Sequence, residues 1–315
     1  MRVLVTGGAG FVGSNVVAAA AARGDDVSAV VRSPPPRPEP ECSYLQADLL
    51  DAAATRDAVR EARPHAIVHT AILNDFLGIY ADRRKAWESY VGVTRTLADA
   101  ANDQGAALLT VSTDWVFDGT QSGADESTPP NPVNYYGVLK AASELVTLER
   151  AREPIVARVA GVLGTHRAGL EVPRSQDPGF GYFASAVVDA LSAGRPFTVW
   201  ESDAINMVAT PSLASLSAAW MLELAERGLR GTFHCCGGEA TTRMGLARET
   251  ARAFELDEGL LRSGPPDPDA LPPAPIPYDT SLDARATARA LDREPPSVGE
   301  LLRQFRLERE GVRQP

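Results

Sequence analysis

The segment Thr6-Gly-Gly-Ala-Gly-Phe-Val-Gly13 restricts this chain more than any other. It follows a β-branched run, Arg2–Thr6, and opens an alanine-rich stretch, Phe11–Arg23. In a strand–loop–helix unit the first glycine permits the tight turn. The second lets the backbone approach a pyrophosphate, and the third lets the helix pack on the strand. The helix start then offers free N–H groups and a positive dipole end. A glycine triplet alone says little. Placed between a strand and a helix at the N-terminus, it reads as the first βαβ unit of a dinucleotide-binding fold. Gly7, Gly10, Phe11, Val12 and Gly13 are its candidate phosphate-binding residues.

The rest of the first half keeps that rhythm. Val27–Val31, Tyr44–Gln46, His65–Thr70, Ala107–Ser112 and Pro154–Val162 read as strands. Thr55–Arg63, Arg83–Gln104 and Tyr135–Arg152 read as helices. This alternation predicts an α/β fold, a Rossmann-type doubly wound parallel sheet. After about Gly164 the pattern loosens. Tyr182–Gly194, Ser212–Gly228, Thr241–Phe254 and Val298–Arg309 look helical, and Gly231–Cys235 looks like one more strand. The proline-rich Gly264–Pro277 is expected to lack regular structure. The expected division is a dinucleotide domain over 1–165, with returns to the sheet around 205–236. A smaller C-terminal substrate lobe takes most of 166–315.

The 315 residues are 44% hydrophobic and 23% charged, enough apolar material for a sizeable core. The formal net charge of -10 repels phosphate backbones, so nucleic acid is not an expected partner. Cys42, Cys235 and Cys236 have no CxxC spacing and suit a reducing cytoplasm. Met1-Arg-Val-Leu-Val-Thr6 lacks a signal-peptide pattern, and no apolar run approaches a membrane span. A cytoplasmic protein is expected, with no membrane partner.

Cofactor choice is read at the end of the second strand. An acidic residue there would bind the ribose 2′-hydroxyl of NAD. The chain instead has Val30-Val-Arg32-Ser33. The Arg32 fork can pair with a 2′-phosphate and Ser33 can donate to it, which favours NADP(H). Asp48 and Leu49 follow the third strand. There Asp48 can accept the adenine amino group or cap the next helix.

Tyr136-Gly-Val-Leu-Lys140 sets a phenol and an ammonium one helical turn apart. A nearby ammonium lowers a phenol's pKa, so the tyrosine can exchange a proton with a carbonyl or alcohol oxygen. Ser112-Thr113-Asp114-Trp115-Val-Phe-Asp-Gly119 ends the fifth strand, where an open α/β sheet forms its ligand crevice. Thr113 can hold the oxygen that Tyr136 protonates. Thr113, Tyr136 and Lys140 are therefore the candidate catalytic residues.

With these blocks in view, the chain resembles extended short-chain dehydrogenase/reductases, and among them the dTDP-4-dehydrorhamnose reductases. The likeness runs through the Ser112–Gly119 block and Asn131-Pro-Val-Asn-Tyr-Tyr136-Gly-Val-Leu-Lys140-Ala-Ala-Ser-Glu144. It continues through Arg158-Val-Ala-Gly-Val-Leu-Gly164, Thr210-Pro211-Ser212, Gly231-Thr-Phe-His234 and Asp279-Thr-Ser-Leu-Asp283. The resemblance implies an NADPH-dependent reductase of a nucleotide-linked 4-keto deoxysugar, with a homodimer as its expected assembly. Tyr136 would be the general acid. Lys140 would bind the nicotinamide ribose and tune Tyr136, and Thr113 would orient the carbonyl. His69, Thr70 and Ala71 would line the cofactor, and Asp114 and Trp115 would face the sugar.

Three segments depart from the family pattern. Tyr90, in Glu88-Ser-Tyr90-Val-Gly-Val-Thr94, stands where relatives often have asparagine. Ile72-Leu-Asn-Asp-Phe-Leu77 replaces an alanine-rich loop, which makes Asn74 a substrate candidate. Asn206-Met-Val-Ala precedes Thr210 in place of a glycine-serine pair. Two alternatives follow. One is a nucleotide-sugar epimerase or dehydratase, although Trp115 stands where dehydratases carry glutamate. The other is a non-catalytic regulatory subunit like the methionine adenosyltransferase β-subunit. Weaker signals are also weighed. His65 and His69 lack further ligands for a metal, so none is expected. Arg167, Arg174, Arg195 and Arg243 can each hold a diphosphate or simply face solvent. Trp200 and Trp220 read as core.

Overall fold

Val3-Leu4-Val5 is apolar without alternation, and such a strand needs cover on both faces. The computed structural model supplies it and describes residues 1–73, 75–169 and 176–311. Its first half runs β1 (Arg2–Thr6), α1 (Phe11–Ala22), β2 (Asp26–Val31), β3 (Cys42–Gln46), α2 (Ala52–Ala62), β4 (Ala66–His69), α3 (Phe76–Ala81) and α4 (Arg83–Trp87). A π-helical turn (Glu88–Gly92), α5 (Val93–Gln104), β5 (Ala107–Thr113), α6 (Tyr135–Arg150) and β6 (Pro154–Val159) follow. Then come β7 (Val162–Leu163), α7 (Phe183–Ser192), β8 (Phe197–Trp200), β9 (Val208–Ala209), β10 (Ser212–Leu213), α8 (Ala214–Glu226) and β11 (Gly231–His234). The chain closes with β12 (Thr241–Thr242), α9 (Arg243–Ala253), β13 (Leu261–Gly264), β14 (Asp279–Thr280), α10 (Arg285–Ala290) and α11 (Val298–Arg309).

Seven strands form the main sheet in the order β11-β6-β5-β4-β1-β2-β3, and every pairing in it is parallel. The fold is the doubly wound Rossmann type. Strand order reverses between β1 and β4, and that point opens a crevice at the strands' C-terminal ends. Alternate residues serve the two faces. Val3, Val5, Val68 and Val111 pack under α1 and α8, with Val16, Val17, Trp220 and Met221. Leu4, Ile67 and Leu108 pack under α2 and α5, with Val59, Val93 and Leu97. Trp220 is a core residue, as expected.

The second lobe has its own core. Phe183, Val187, Leu191, Phe197, Leu246, Leu301 and Phe305 join α7, α9, α11 and β8. Elements that begin beyond residue 165 nonetheless complete the dinucleotide half. α8 covers α1, and β11 adds the sheet's edge strand. Within 205–236 only β11 joins the main sheet. β9 and β10 belong to small two- and three-stranded sheets.

Several expected boundaries moved for visible reasons. The sixth strand stops at Val159 because Gly161 turns the chain at φ 47, and Val162–Leu163 then pair with Ser212–Leu213. The segment expected to be irregular from Gly264 contains the end of β13, which pairs with β8. Arg243 is not a surface arginine. It is fully buried and donates to the carbonyls of Asn206, Asp177 and Gly179 and to Gln176. Its guanidinium also lies over the rings of Phe180 and Phe183. It pins the 176–181 segment to the second lobe. No helix among the described residues is long and apolar enough to cross a membrane.

Candidate active site

The site is built where β1, β4 and β5 end. At Gly13 an added Cβ would lie 2.2 Å from the Gly7 carbonyl oxygen and 2.6 Å from Thr70 Oγ1. Neither can yield, because Thr70 is itself tied to the Thr6 carbonyl at 2.7 Å. The glycine here is therefore a packing requirement. Gly13→Ala is expected to cost about 1–3 kcal/mol of stability through overpacking. Thermal denaturation checks this, and an unchanged melting temperature contradicts it. α1 starts at Phe11 behind Gly10 with no side-chain cap, so its first N–H groups suit an anion. The Phe11 ring turns to the second lobe and packs on Tyr182 at 4.8 Å and His166 at 6.0 Å between centroids.

Arg32 and Ser33 are exposed at the end of β2, with the Arg32 carbonyl held by Gln46 at 2.9 Å. Asp48 is exposed beyond β3 and accepts from the Leu50 N–H. It does not cap α2; Asp51 does, accepting from Ala53 and Ala54. Leu49 is partly buried beside the α2–α5 core. Thr70 and Ala71 lie against the glycine loop, with Ala71 Cα 2.7 Å from where a Gly7 Cβ would be. His65 accepts from the Arg2 N–H, and His69 bonds Thr6 at 2.7 Å, so both ring systems have structural partners. Burial first, and the Lys140 charge second, push His69 down to about 3.

Gly137 fixes how α6 meets β5. A Cβ there would sit 2.2 Å from the Trp115 carbonyl oxygen. The helix start thus lies directly against the Thr113–Trp115 turn. Asn134 caps it, accepting from the Gly137 N–H at 2.9 Å, and donates to the Pro275 carbonyl in the proline-rich segment. The result joins Thr113, Tyr136 and Lys140, as the sequence led us to expect. The Thr113 hydroxyl donates to the Asp114 carboxylate at 2.9 Å and accepts from the Trp115 N–H, beside the Tyr136 phenol. Lys140 is buried and donates to the Val111 carbonyl at 2.9 Å.

The electrostatics differ from the expected tuning. Burial pushes the Tyr136 phenol up to about 12, with the nearby Thr113 hydroxyl opposing and the Asp114 charge adding. The Lys140 charge is not what sets it. Burial likewise pushes Lys140 down to about 8, opposed by Glu144. At neutral pH the phenol therefore keeps its proton, the state a general acid needs.

Asp114 does not turn to the crevice. Its carboxylate takes the Thr113 and Thr280 hydroxyls, and burial raises it to about 6 against those two bonds. Trp115 is partly exposed and packs edge-on against Tyr136 at 6.1 Å. Phe76 and Tyr90 complete an aromatic wall around Tyr136, at 6.4 and 6.2 Å. Of the remaining candidates, Asn74 and Arg174 lie outside the described residues. Arg167 pairs with Glu308 at 3.4 Å, and Arg195 is exposed.

Behind α6 lies a buried ion pair. Arg158 on β6 donates through Nε and Nη2 to both Glu144 oxygens, at 2.9 and 2.8 Å. Its guanidinium rests over Phe117, and His234 lies 3.4 Å away. The pair ties the helix that carries Tyr136 to the sheet.

Two residues of the site escaped sequence reasoning. Asn134 had a readable signal, a capping side chain just before a helix. Thr280 had none, since it reaches Asp114 from 166 positions away.

A glycine loop at the switch point of the sheet, beside the Thr113–Tyr136–Lys140 cluster, defines a dinucleotide-dependent oxidoreductase of the extended short-chain type. The chain belongs to the family described as the RmlD substrate binding domain, whose model matches residues 1–308. It is 28% identical over 270 residues to a dTDP-4-keto-6-deoxy-D-glucose reductase of Streptomyces niveus, covering 84% of this chain and 83% of that one. It is also 28% identical over 252 residues to the methionine adenosyltransferase 2 subunit beta of Xenopus tropicalis, covering 78% of this chain and 70% of that one. Among solved structures it resembles a hypothetical dTDP-4-dehydrorhamnose reductase from Sulfolobus tokodaii. The TM-score is 0.76 and the identity 25%, with 94% of this chain and 97% of that chain covered.

Proposed function

We propose that this protein reduces the keto group of a nucleotide-linked 4-keto deoxysugar, with NADPH as the reductant. The observation that carries the reading is the packing of the α6 start, with Tyr136 and Lys140, directly against the Thr113–Trp115 turn at the end of β5. The similarity to the Streptomyces niveus reductase supports the substrate class.

The residues present fit a dinucleotide. The uncapped α1 start with Gly7, Gly10, Phe11, Val12 and Gly13 would hold the pyrophosphate. Arg32 and Ser33 would hold the 2′-phosphate, Asp48 and Leu49 the adenine end, and Thr70 and Ala71 the wall. When bound, the reduced nicotinamide supplies the reducing equivalents. The chain's own work is proton transfer and orientation. Tyr136 hydrogen-bonds the carbonyl oxygen and polarises it, and the Thr113 hydroxyl, which donates to Asp114 in the free site, turns to the same oxygen. As negative charge develops on that oxygen, Tyr136 delivers its proton and an alcohol results. Lys140, anchored on Val111, holds positive charge near the phenolate that remains. Trp115 and Phe76 exclude water around the reacting carbon.

Arg32→Ala tests the cofactor assignment. The dissociation constant for NADPH is expected to rise roughly 10–100-fold, the loss of a charge-assisted bond, while that for NADH stays constant. Titration of both by fluorescence checks it, and an unchanged preference removes Arg32 from the site.

The methionine adenosyltransferase 2 subunit beta similarity favours a second reading, a non-catalytic partner subunit. NADPH binding without turnover of any keto sugar, with stable capture of a methionine adenosyltransferase catalytic subunit, would support it.

A further inference from the structure

Tyr90 is buried in the π-helical turn between α4 and α5, and its surroundings are unusual for a core tyrosine. The Lys140 ammonium lies over its ring, 5.7 Å from the centroid. The same ring meets Tyr136 edge-to-face at 6.2 Å and 83°. Its hydroxyl donates to the Leu73 carbonyl at 3.1 Å, so the ring cannot turn freely. Its own carbonyl takes the Thr94 hydroxyl at 2.7 Å. A π-helical turn places one residue out of the regular helical register, and such turns recur at functional sites.

We propose that Tyr90 is a positioning residue for the Tyr136–Lys140 pair. Its ring face seats the Lys140 ammonium and its edge contact fixes the plane of Tyr136. This rests on reading Tyr136 and Lys140 as the catalytic pair. An aromatic face attracts a cation through its quadrupole, most strongly where water is excluded. Lys140 is in that situation. Its amine donates to Val111 on β5, and the charged or titratable groups near it are few. Among the described residues they are His69 on β4, held neutral, Glu144 and Tyr136 on its own helix, and Tyr90 itself. Burial favours the neutral amine, and Glu144 favours the ammonium. The Tyr90 ring adds to the Glu144 side, which keeps Lys140 charged beside Tyr136.

The test does not need a substrate. The chain has two lysines, Lys85 and Lys140, so ε-carbon-labelled lysine gives two NMR signals in the intact protein. Lys85→Arg assigns them. Position 90 is then occupied in turn by tyrosine, phenylalanine, 4-fluoro-, 3,5-difluoro- and 3,4,5-trifluorophenylalanine. These rings nearly match in shape but progressively lose π charge. The Lys140 titration midpoint is expected to hold for phenylalanine and then fall stepwise. The total fall should be roughly 0.5–1 pH unit. A midpoint that stays constant across the series overturns the proposal. So does a fall confined to the first replacement, which would assign the effect to the hydroxyl. Because the readout is the lysine itself, failure here is separable from failure of the proposed reductase activity.

Discussion

Tyr136→Phe is expected to lower kcat by roughly 10²–10⁴-fold while NADPH affinity changes less than about twofold. The change removes one oxygen and leaves the ring on its three aromatic neighbours, Phe76, Tyr90 and Trp115. Folding should therefore be little affected, and a kcat loss would report the proton. Burial holds the phenol protonated up to about 12, and in the proposed reaction it gives its proton to the oxygen that Thr113 holds. Single-turnover kinetics with reductant pre-bound checks this. Full activity in the variant would remove Tyr136 from the chemistry.

The second large effect is on stability. Glu144→Leu leaves the Arg158 guanidinium buried without its carboxylate, which costs about 3–5 kcal/mol. The site makes the loss severe, because both side chains are about 3% exposed. Phe117 covers one face, and the neighbouring His234 cannot replace the lost charge. Glu144→Leu/Arg158→Met removes both charges and should recover most of the loss, since buried pairs often break even against apolar isosteres. Urea denaturation of the three proteins measures the coupling. Additive single and double effects would mean that the pair does not act as a unit.

Local sequence was enough for the sheet and for the grouping of the candidate residues on it. β1 and the glycine loop are legible because a buried strand, a packing glycine and a helix follow one another without a break over Arg2–Ala22. The Thr113, Tyr136 and Lys140 cluster is legible because its members lie at the end of one strand and the start of the next helix. What sequence could not give were contacts made across long separations. Nothing near Asp114 announces that Thr280 will take its carboxylate. Nothing near Arg243 announces that it will be buried under the 176–181 segment rather than left for a phosphate. The tuning of Tyr136 failed for a similar reason. The i to i+4 spacing from Lys140 is visible in the sequence, but burial is a property of the folded site, and it outweighs the expected ammonium effect. The two-residue strands β7, β9, β10, β12 and β14 carry too few residues for a period-2 pattern, so they appear only once paired.

The central claim is keto-sugar reduction driven by NADPH. The most direct measurement mixes the purified protein with NADPH and dTDP-4-keto-6-deoxyglucose, with NADH and UDP-linked 4-keto sugars in parallel. It follows loss of the reduced-nicotinamide absorbance and recovers the sugar product. The account predicts NADPH consumption matched one-to-one by a new alcohol on the sugar ring, and much slower consumption of NADH. NADPH binding with no consumption on any keto sugar would contradict it.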